Sequence, residues 1–489
     1  MKSIRAAFAA AFLFCVVLVS TTAQNAPAAP SPNAAALPEA KPATQRLADM
    51  YASAPASTRA AIKASTELAA LGKWKSAFDG VSATDPDNRD PYILAAKIGL
   101  VLDGFIRTTM HRGFALKDFA AGESLVSLRA ADGEFEMIEF DPAALAEAQS
   151  MAGIPVPPVL EKAIADYFFS VLNLFSGAWL APDEEVGAMS LAGYARAREG
   201  GAYDAASLSN ESELLIRSDR SDEAQPLLRE SLALDSTAPS THFNMAVSLL
   251  TRGEAAEALL EFDAAIKGFP IGDASEKLFG AYTLAARAAA SMGDLARSFA
   301  YLDTAEKTFP EDPAPGLVRH FVAVESKDAS AANSAADAIY ARWPASPYVI
   351  RSVISTWIDA GDSAAAKAFL DRSLAKAGSN DEAAGAILFY SALLTAQGGP
   401  EGQTLEGLAE AFGLIAAAEE RFKKVYSPDH EVFASIEGIR SDLSAALLQG
   451  AGAPVEGPPG SGVAVPDASA AQTAPATEGE PDATSAATE

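Results

Sequence analysis

The sequence predicts a mostly α protein: a right-handed α-solenoid of stacked helical hairpins, with a small β-hairpin or meander inserted near residues 113–141. Three observations predict it. A turn marker recurs at Asp219–Ala224, Gly253–Ala258, Gly293–Ser298, Lys327–Ala332 and Gly361–Ala366, and its first residues stand 34, 40, 34 and 34 apart. One insertion of six, at 273–278, interrupts the period, and a repeat of this length with a turn in its middle means stacked helix pairs. Apolar residues recur at helical spacing from near Gln45, first as Leu47, Met50 and Tyr51, then as Ile62, Leu68 and Leu71. Composition agrees: 49% of the residues are hydrophobic, Ala is the commonest, and only 4 are Trp, which suits closely packed helices.

The elements follow in chain order. Lys2 and Arg5 precede an uninterrupted apolar run from Ala6 to Val19, and Thr21-Thr22-Ala23 offers small residues for cleavage, so 1–23 reads as a secretory signal. The run is shorter than the roughly twenty residues a membrane span needs, although an uncleaved anchor is the other reading. Cys15 lies inside that run behind Phe12-Leu13-Phe14, so it lacks the small residues that lipidation requires. Cleavage leaves a chain without thiols, stabilised by its core alone. Residues 24–44 carry five prolines among alanines and read as an extended linker.

The marker recurs at Gly72–Ala77, Asp85-Pro86 ends the second helix of that hairpin, and Pro91 opens another. Phe114–Phe119, Ser124–Ala130 and Glu134–Phe140 then read as short antiparallel strands, with Ala131-Asp132-Gly133 as a hairpin turn. Helices resume at Ala143–Met151, Val159–Phe175 and Glu184–Arg198, which makes 45–204 a degenerate helical-repeat region around the β insertion. Five regular units follow at 205–238, 239–272, 279–312, 313–346 and 347–380. Longer helices across 381–450 are expected to cap the array. The tail from Ala451 to Glu489 has six acidic residues and no Lys or Arg, and its Pro, Gly, Ser and Thr content predicts disorder.

A net charge of −27 argues against nucleic-acid and anionic-membrane partners, which need clustered Lys and Arg. The histidines His111, His242, His320 and His430 show no two-His spacing suited to a metal. The sequence has no phosphate-binding Gly-rich loop and no nucleophile elbow. Asp183-Glu184-Glu185 after Pro182 reads as the favourable negative first turn of a helix. No catalytic residue, metal site or cofactor is expected.

Units 239–272 and 279–312 resemble the tetratricopeptide repeat (TPR). Gly253, Ala258, Phe262, Ala265 and Pro270 fall at the family's spacing in the first, and Gly293, Ser298, Leu302, Ala305 and Pro310 in the second, with Tyr282 at the early aromatic position. Small residues let the two helices approach, and proline ends one hairpin before the next. The other units match mainly by period: Lys327 stands where Gly is usual, and His320 where a small residue normally meets the partner helix.

The resemblance implies a non-enzymatic protein–protein interaction scaffold whose first helices line a concave groove. Carried onto this sequence, the groove includes Arg217, Phe243, Val247, Arg287, Phe321, Tyr348 and Arg351, an apolar stripe interrupted by arginines that suits a peptide with an acidic group. With the export signal, the expected location is the bacterial periplasm, or otherwise outside the cell, and the expected partner is an envelope protein or peptide. Two alternatives stand beside this: a homo-oligomeric structural envelope protein, and a small-ligand-binding module built on the irregular region 104–175.

Overall fold

Short hairpins with a left-handed residue at each turn build the chain in a computed structural model that describes residues 48–269, 276–398 and 404–449. The expected signal at 1–23, the linker at 24–44, the tail at 451–489 and the first half of the insertion at 273–278 lie outside the described residues. The described chain divides into two compact units, one running to Tyr301 and one starting at Leu302.

In the 48–301 unit, α1 (Ala56–Ala70) and α2 (Trp74–Thr84) form a hairpin, and α3 (Pro91–Gly104) follows with Asp90 capping its first amides. The insertion holds β1 (Arg107–Thr109), β2 (Gly113–Ala115), α4 (Leu125–Ala130) and β3 (Met137–Glu139). Helices α5 (Pro142–Met151), α6 (Pro158–Phe175) and α7 (Asp183–Glu199) lead into the regular pairs α8 (Ala205–Arg217) with α9 (Ser221–Leu234), and α10 (Pro239–Thr251) with α11 (Ala255–Gly268). Then come α12 (Glu276–Ser291) and α13 (Leu295–Thr308), within which the division after Tyr301 falls. The 302–449 unit contains α14 (Ala314–Glu325), α15 (Ala329–Arg342), α16 (Pro347–Asp359), α17 (Ser363–Ala377), α18 (Asp381–Gln397), α19 (Leu405–Phe422) and α20 (Glu431–Gln449).

The recurrent marker is a recurrent backbone state. Its first residue is left-handed in every regular unit: φ is 58° at Asp219, 80° at Gly253, 82° at Gly293, 57° at Lys327 and 79° at Gly361. Around it the same two bonds close each first helix. Gly253 N donates to Leu250 O at 3.0 Å and Glu254 N to Leu249 O at 2.9 Å; Lys327 N and Asp328 N do the same to Val324 O and Ala323 O at 2.9 and 3.0 Å. This is the Schellman termination, which satisfies the last carbonyls of the first helix while reversing the chain.

The core repeats in the same register. The twentieth residue of each unit is Ala224, Ala258, Ser298, Ala332 or Ala366, and none is more than 1% exposed. The twenty-fourth is Leu228, Phe262, Leu302, Ala336 or Leu370, equally buried. Small residues at the first position bring the helices together, and each large side chain at the second contributes about 1.5–3 kcal/mol by leaving water.

The insertion differs from its expectation. The three strands form one antiparallel sheet in the order β1-β2-β3, with Thr109 opposite Gly113 and Phe114 opposite Ile138. The sheet therefore starts at Arg107, ahead of residue 113, and its hairpin turns through Met110, His111 and Arg112, the first two at positive φ. Residues 125–130, expected to be a strand, are helix α4. Ser124 and Ser127 cap it reciprocally, Ser127 N donating to Ser124 Oγ at 3.1 Å and Ser124 N to Ser127 Oγ at 2.9 Å. Ala131-Asp132-Gly133 is thus no hairpin turn. It follows α4, and Arg107 holds the segment by donating to the carbonyls of Arg129 and Ala131 at 2.6 Å each.

Candidate partner-binding face

The first helices α8, α10 and α12 of the 48–301 unit pack side by side, and polar side chains meet where they touch. Ser209, Glu213, Asn244 and Thr283 are all less than a tenth exposed. Asn244 Nδ2 donates to the Ser209 carbonyl at 3.1 Å and to its hydroxyl at 3.2 Å. Glu213 is held by two cations: Arg217 Nη2 lies 2.6 Å from its Oε1, and Lys277 Nζ lies 2.7 Å from its Oε2. Burial by itself pushes the Glu213 carboxyl up, but Lys277, Arg217 and the Asn244 amide outweigh it and hold it below the usual range. A second network lies towards the N-terminus. Lys162 bonds Asp166 at 2.8 Å and Asp204 at 3.1 Å, Tyr194 Oη donates to Asp166 at 2.7 Å, and Asn210 donates to Tyr194 Oη at 3.1 Å.

The seven groove candidates fall in different surroundings. Arg217 is engaged by Glu213 and by Asn173 Oδ1 at 2.9 Å. Phe243 is 7% exposed and meets Phe262 edge-on, with ring centroids 6.1 Å apart, so it packs in the core of its own hairpin. Val247, Arg287 and Phe321 are half-buried. Tyr348 is half-buried too, and burial raises its phenol above the ordinary value, Asp312 adding to the rise and Arg351 opposing it. Arg351 is exposed. Asn173 and Lys277 were not among the candidates. Lys277 stands 64 residues from Glu213, and only the packing of α8, α10 and α12 brings the two together.

Two histidines are fully buried, for different reasons. His111 sits among the rings of Phe105, Phe114, Tyr167 and Phe175, with centroids 5.1 to 5.7 Å away. Its Nε2 lies 2.9 Å from Ser170 Oγ and its Nδ1 3.3 Å from Thr108 Oγ1, and burial pushes its pKa down to about 4. The aromatic residues of 104–175 thus pack largely on one another. His320 packs edge-on against Trp357 with centroids 4.3 Å apart, and its ring nitrogens face the carbonyls of Ala332 and Val353 at 3.1 and 3.2 Å. Burial lowers its pKa, and the two carbonyls oppose the shift. Among the described residues no group of three His, Cys, Asp or Glu could hold a metal ion, and no helix is long and apolar enough to cross a membrane.

The repeats are two-helix hairpins that share one turn register and one core register. No family model matches the sequence, and no curated protein matches it. Among solved structures the chain is similar to yeast Tom70, at 13% identity and a TM-score of 0.36, over 79% of this chain and 82% of that one. It is also similar to a tetratricopeptide repeat protein from Parabacteroides merdae, at 13% identity and a TM-score of 0.32, over 57% and 99%. A third is YrrB, described as a TPR protein with an unusual peptide-binding site, at 16% identity and a TM-score of 0.28, over 39% and 95%. Likenesses this low carry nothing about what this chain binds.

Proposed function

We propose that this protein is a non-enzymatic scaffold of the bacterial cell envelope, which holds a partner protein or peptide against the first helices of its repeats. The observation that carries this reading is the shared register of turn and core. Because each hairpin closes at the same left-handed residue and buries the same two positions of its second helix, the outward side of the first helix recurs as a surface. On such a surface, affinity comes from a few anchoring side chains and specificity from the charges around them. Half-buried Phe321 and Tyr348 supply anchors in the 302–449 unit, and exposed Arg351 supplies a charge. The leader expected at 1–23 supports a periplasmic location.

The test places a photo-cross-linking residue at Arg351 in the full chain expressed in cells, with the same residue at Leu260 as control. Leu260 is 68% exposed on the second helix α11. Adducts with one envelope protein at 351 and not at 260 are expected. An adduct of the chain with itself would make the partner a second copy, and equal or absent labelling at both positions would overturn the reading.

A further inference from the structure

Glu213 occupies a place that packing alone does not reserve for a carboxylate. Its counterparts at the ninth residue of the other units are Val247, Arg287, Phe321 and Ser355. The Glu213 side chain is 10% exposed, whereas the cations that grip it, Arg217 and Lys277, keep 36% and 31% of their surface open to solvent. Each carboxylate oxygen meets a cation from a different helix, Arg217 on α8 and Lys277 on α12, at 2.6 and 2.7 Å. Two positive groups surround one negative group, so the cluster keeps one net positive charge in a chain whose total is −27. The Arg217 head is also steadied from outside the pair, because its Nη2 donates to Asn173 Oδ1 at 2.9 Å. Asn244, fixed on Ser209, stands by and helps hold the Glu213 carboxyl below its usual range.

We propose that Glu213 is the internal occupant of a carboxylate-receiving site formed by Arg217 and Lys277, and that an acidic side chain of an extended partner segment exchanges with it there. The proposal rests on the partner-binding reading of the first helices and names the chemistry that one stretch of that surface accepts. A buried ion cluster offers little stability over well-packed apolar residues of the same volume, so stability alone does not account for this one. An incoming carboxylate meets the solvent-facing sides of two cations 64 residues apart in sequence, and bonds them as Glu213 does. One carboxylate replaces another, so the native chain binds acidic segments weakly, and added salt weakens binding further.

The test uses a fluorescein-labelled peptide of alternating Ala and Asp, followed by anisotropy at low ionic strength with the full chain, and an alternating Ala and Lys peptide as control. Glu213→Ala is expected to bind the acidic peptide about tenfold tighter than the native chain, since the internal competitor is gone. Adding Arg217→Met and Lys277→Met should erase that gain, and the basic peptide should gain nothing from any substitution. Glu213→Gln, which keeps the side chain's shape, gives the same reading should Glu213→Ala lose its helical circular dichroism. No gain in either variant, or a gain that survives removal of both cations, overturns the proposal. Adducts at position 351 together with no gain here would sink this inference alone; their absence would sink the scaffold reading instead.

Discussion

At the eighth residue of successive repeats the 48–301 unit places Ser212, Ala246 and Ala286, whereas the 302–449 unit places His320 and Ile354. None of the five is more than 5% exposed. The second helices answer this difference in size. Ser212 and Ala246 are accompanied by Leu228 and Phe262 at the twenty-fourth position, while His320 is accompanied by Ala336. In these three pairs the total volume stays similar although the large side chain moves from one helix to the other, whereas Ile354 and Leu370 are large together. The two units also handle polarity differently. The first carries buried ions across its first helices, with Glu213 and Lys162 at their centres, and the second packs the His320, Trp357 and Phe369 rings together, with Trp357 and Phe369 centroids 5.7 Å apart. One backbone register therefore accepts two chemistries.

Four experiments sharpen or break that contrast. The largest effect is expected at Trp357, 3% exposed between His320 and Phe369, where Trp357→Ala should cost about 4 kcal/mol in urea unfolding. A loss below about 1 kcal/mol would mean that the rings of the 302–449 unit do not form its core.

Next comes acid. His111 is pushed down to about 4 by burial, so the folded chain favours its neutral form. The stability this contributes is complete above the unfolded value near 6.5 and is lost as pH falls from there through about 4, roughly 3 kcal/mol in all. His111→Gln should flatten that part of the pH profile, and an unchanged profile would contradict the assignment. The contrast with His320 is one of partners. Hydroxyls satisfy either ring nitrogen of a neutral imidazole, whereas two carbonyls leave one of them without a donor to receive.

A smaller effect tests the exchange of size directly. Ala336→Leu beside His320 should overpack the hairpin and cost about 2 kcal/mol, and adding His320→Ala should recover at least half of it. Additive losses would show that the two positions do not share a space. The smallest change concerns the turns. Lys327 adopts φ 57° without the freedom of glycine, so Lys327→Gly should raise stability by about 0.5–1 kcal/mol, whereas Gly293→Ala should lower it by a similar amount.

Much of the fold was legible because its signals are local. The hairpin turn needs a residue that tolerates positive φ next to a helix end, and Gly253, Gly293 and Gly361 announce that in the sequence. Asp219 and Lys327 do not, and only the period placed them. The insertion was harder. Its true hairpin turns on Met110 and His111, with no glycine there to mark the left-handed backbone. Residues 125–130 look like a strand by composition, but the reciprocal Ser124–Ser127 cap makes them a helix. The candidate face was legible only as a list of positions. The sequence named Arg217 but not its engagement by Glu213 and Asn173, and it named Phe243 without showing that the ring turns into the hairpin core. Lys277 fell in a stretch that looked like an interruption of the period, and its partner lies two first helices away. Such contacts depend on how repeats stack, and no window of sequence contains them.

The exchange of size between His320 and Ala336 also bears on how such a chain changes over generations. Unit 313–346 pairs a large eighth residue with a small twenty-fourth, units 205–238 and 239–272 pair them the other way, and Ile354 with Leu370 is large at both. Both positions lie inside one 34-residue unit, so duplicating or recombining a whole unit carries the compensation with it.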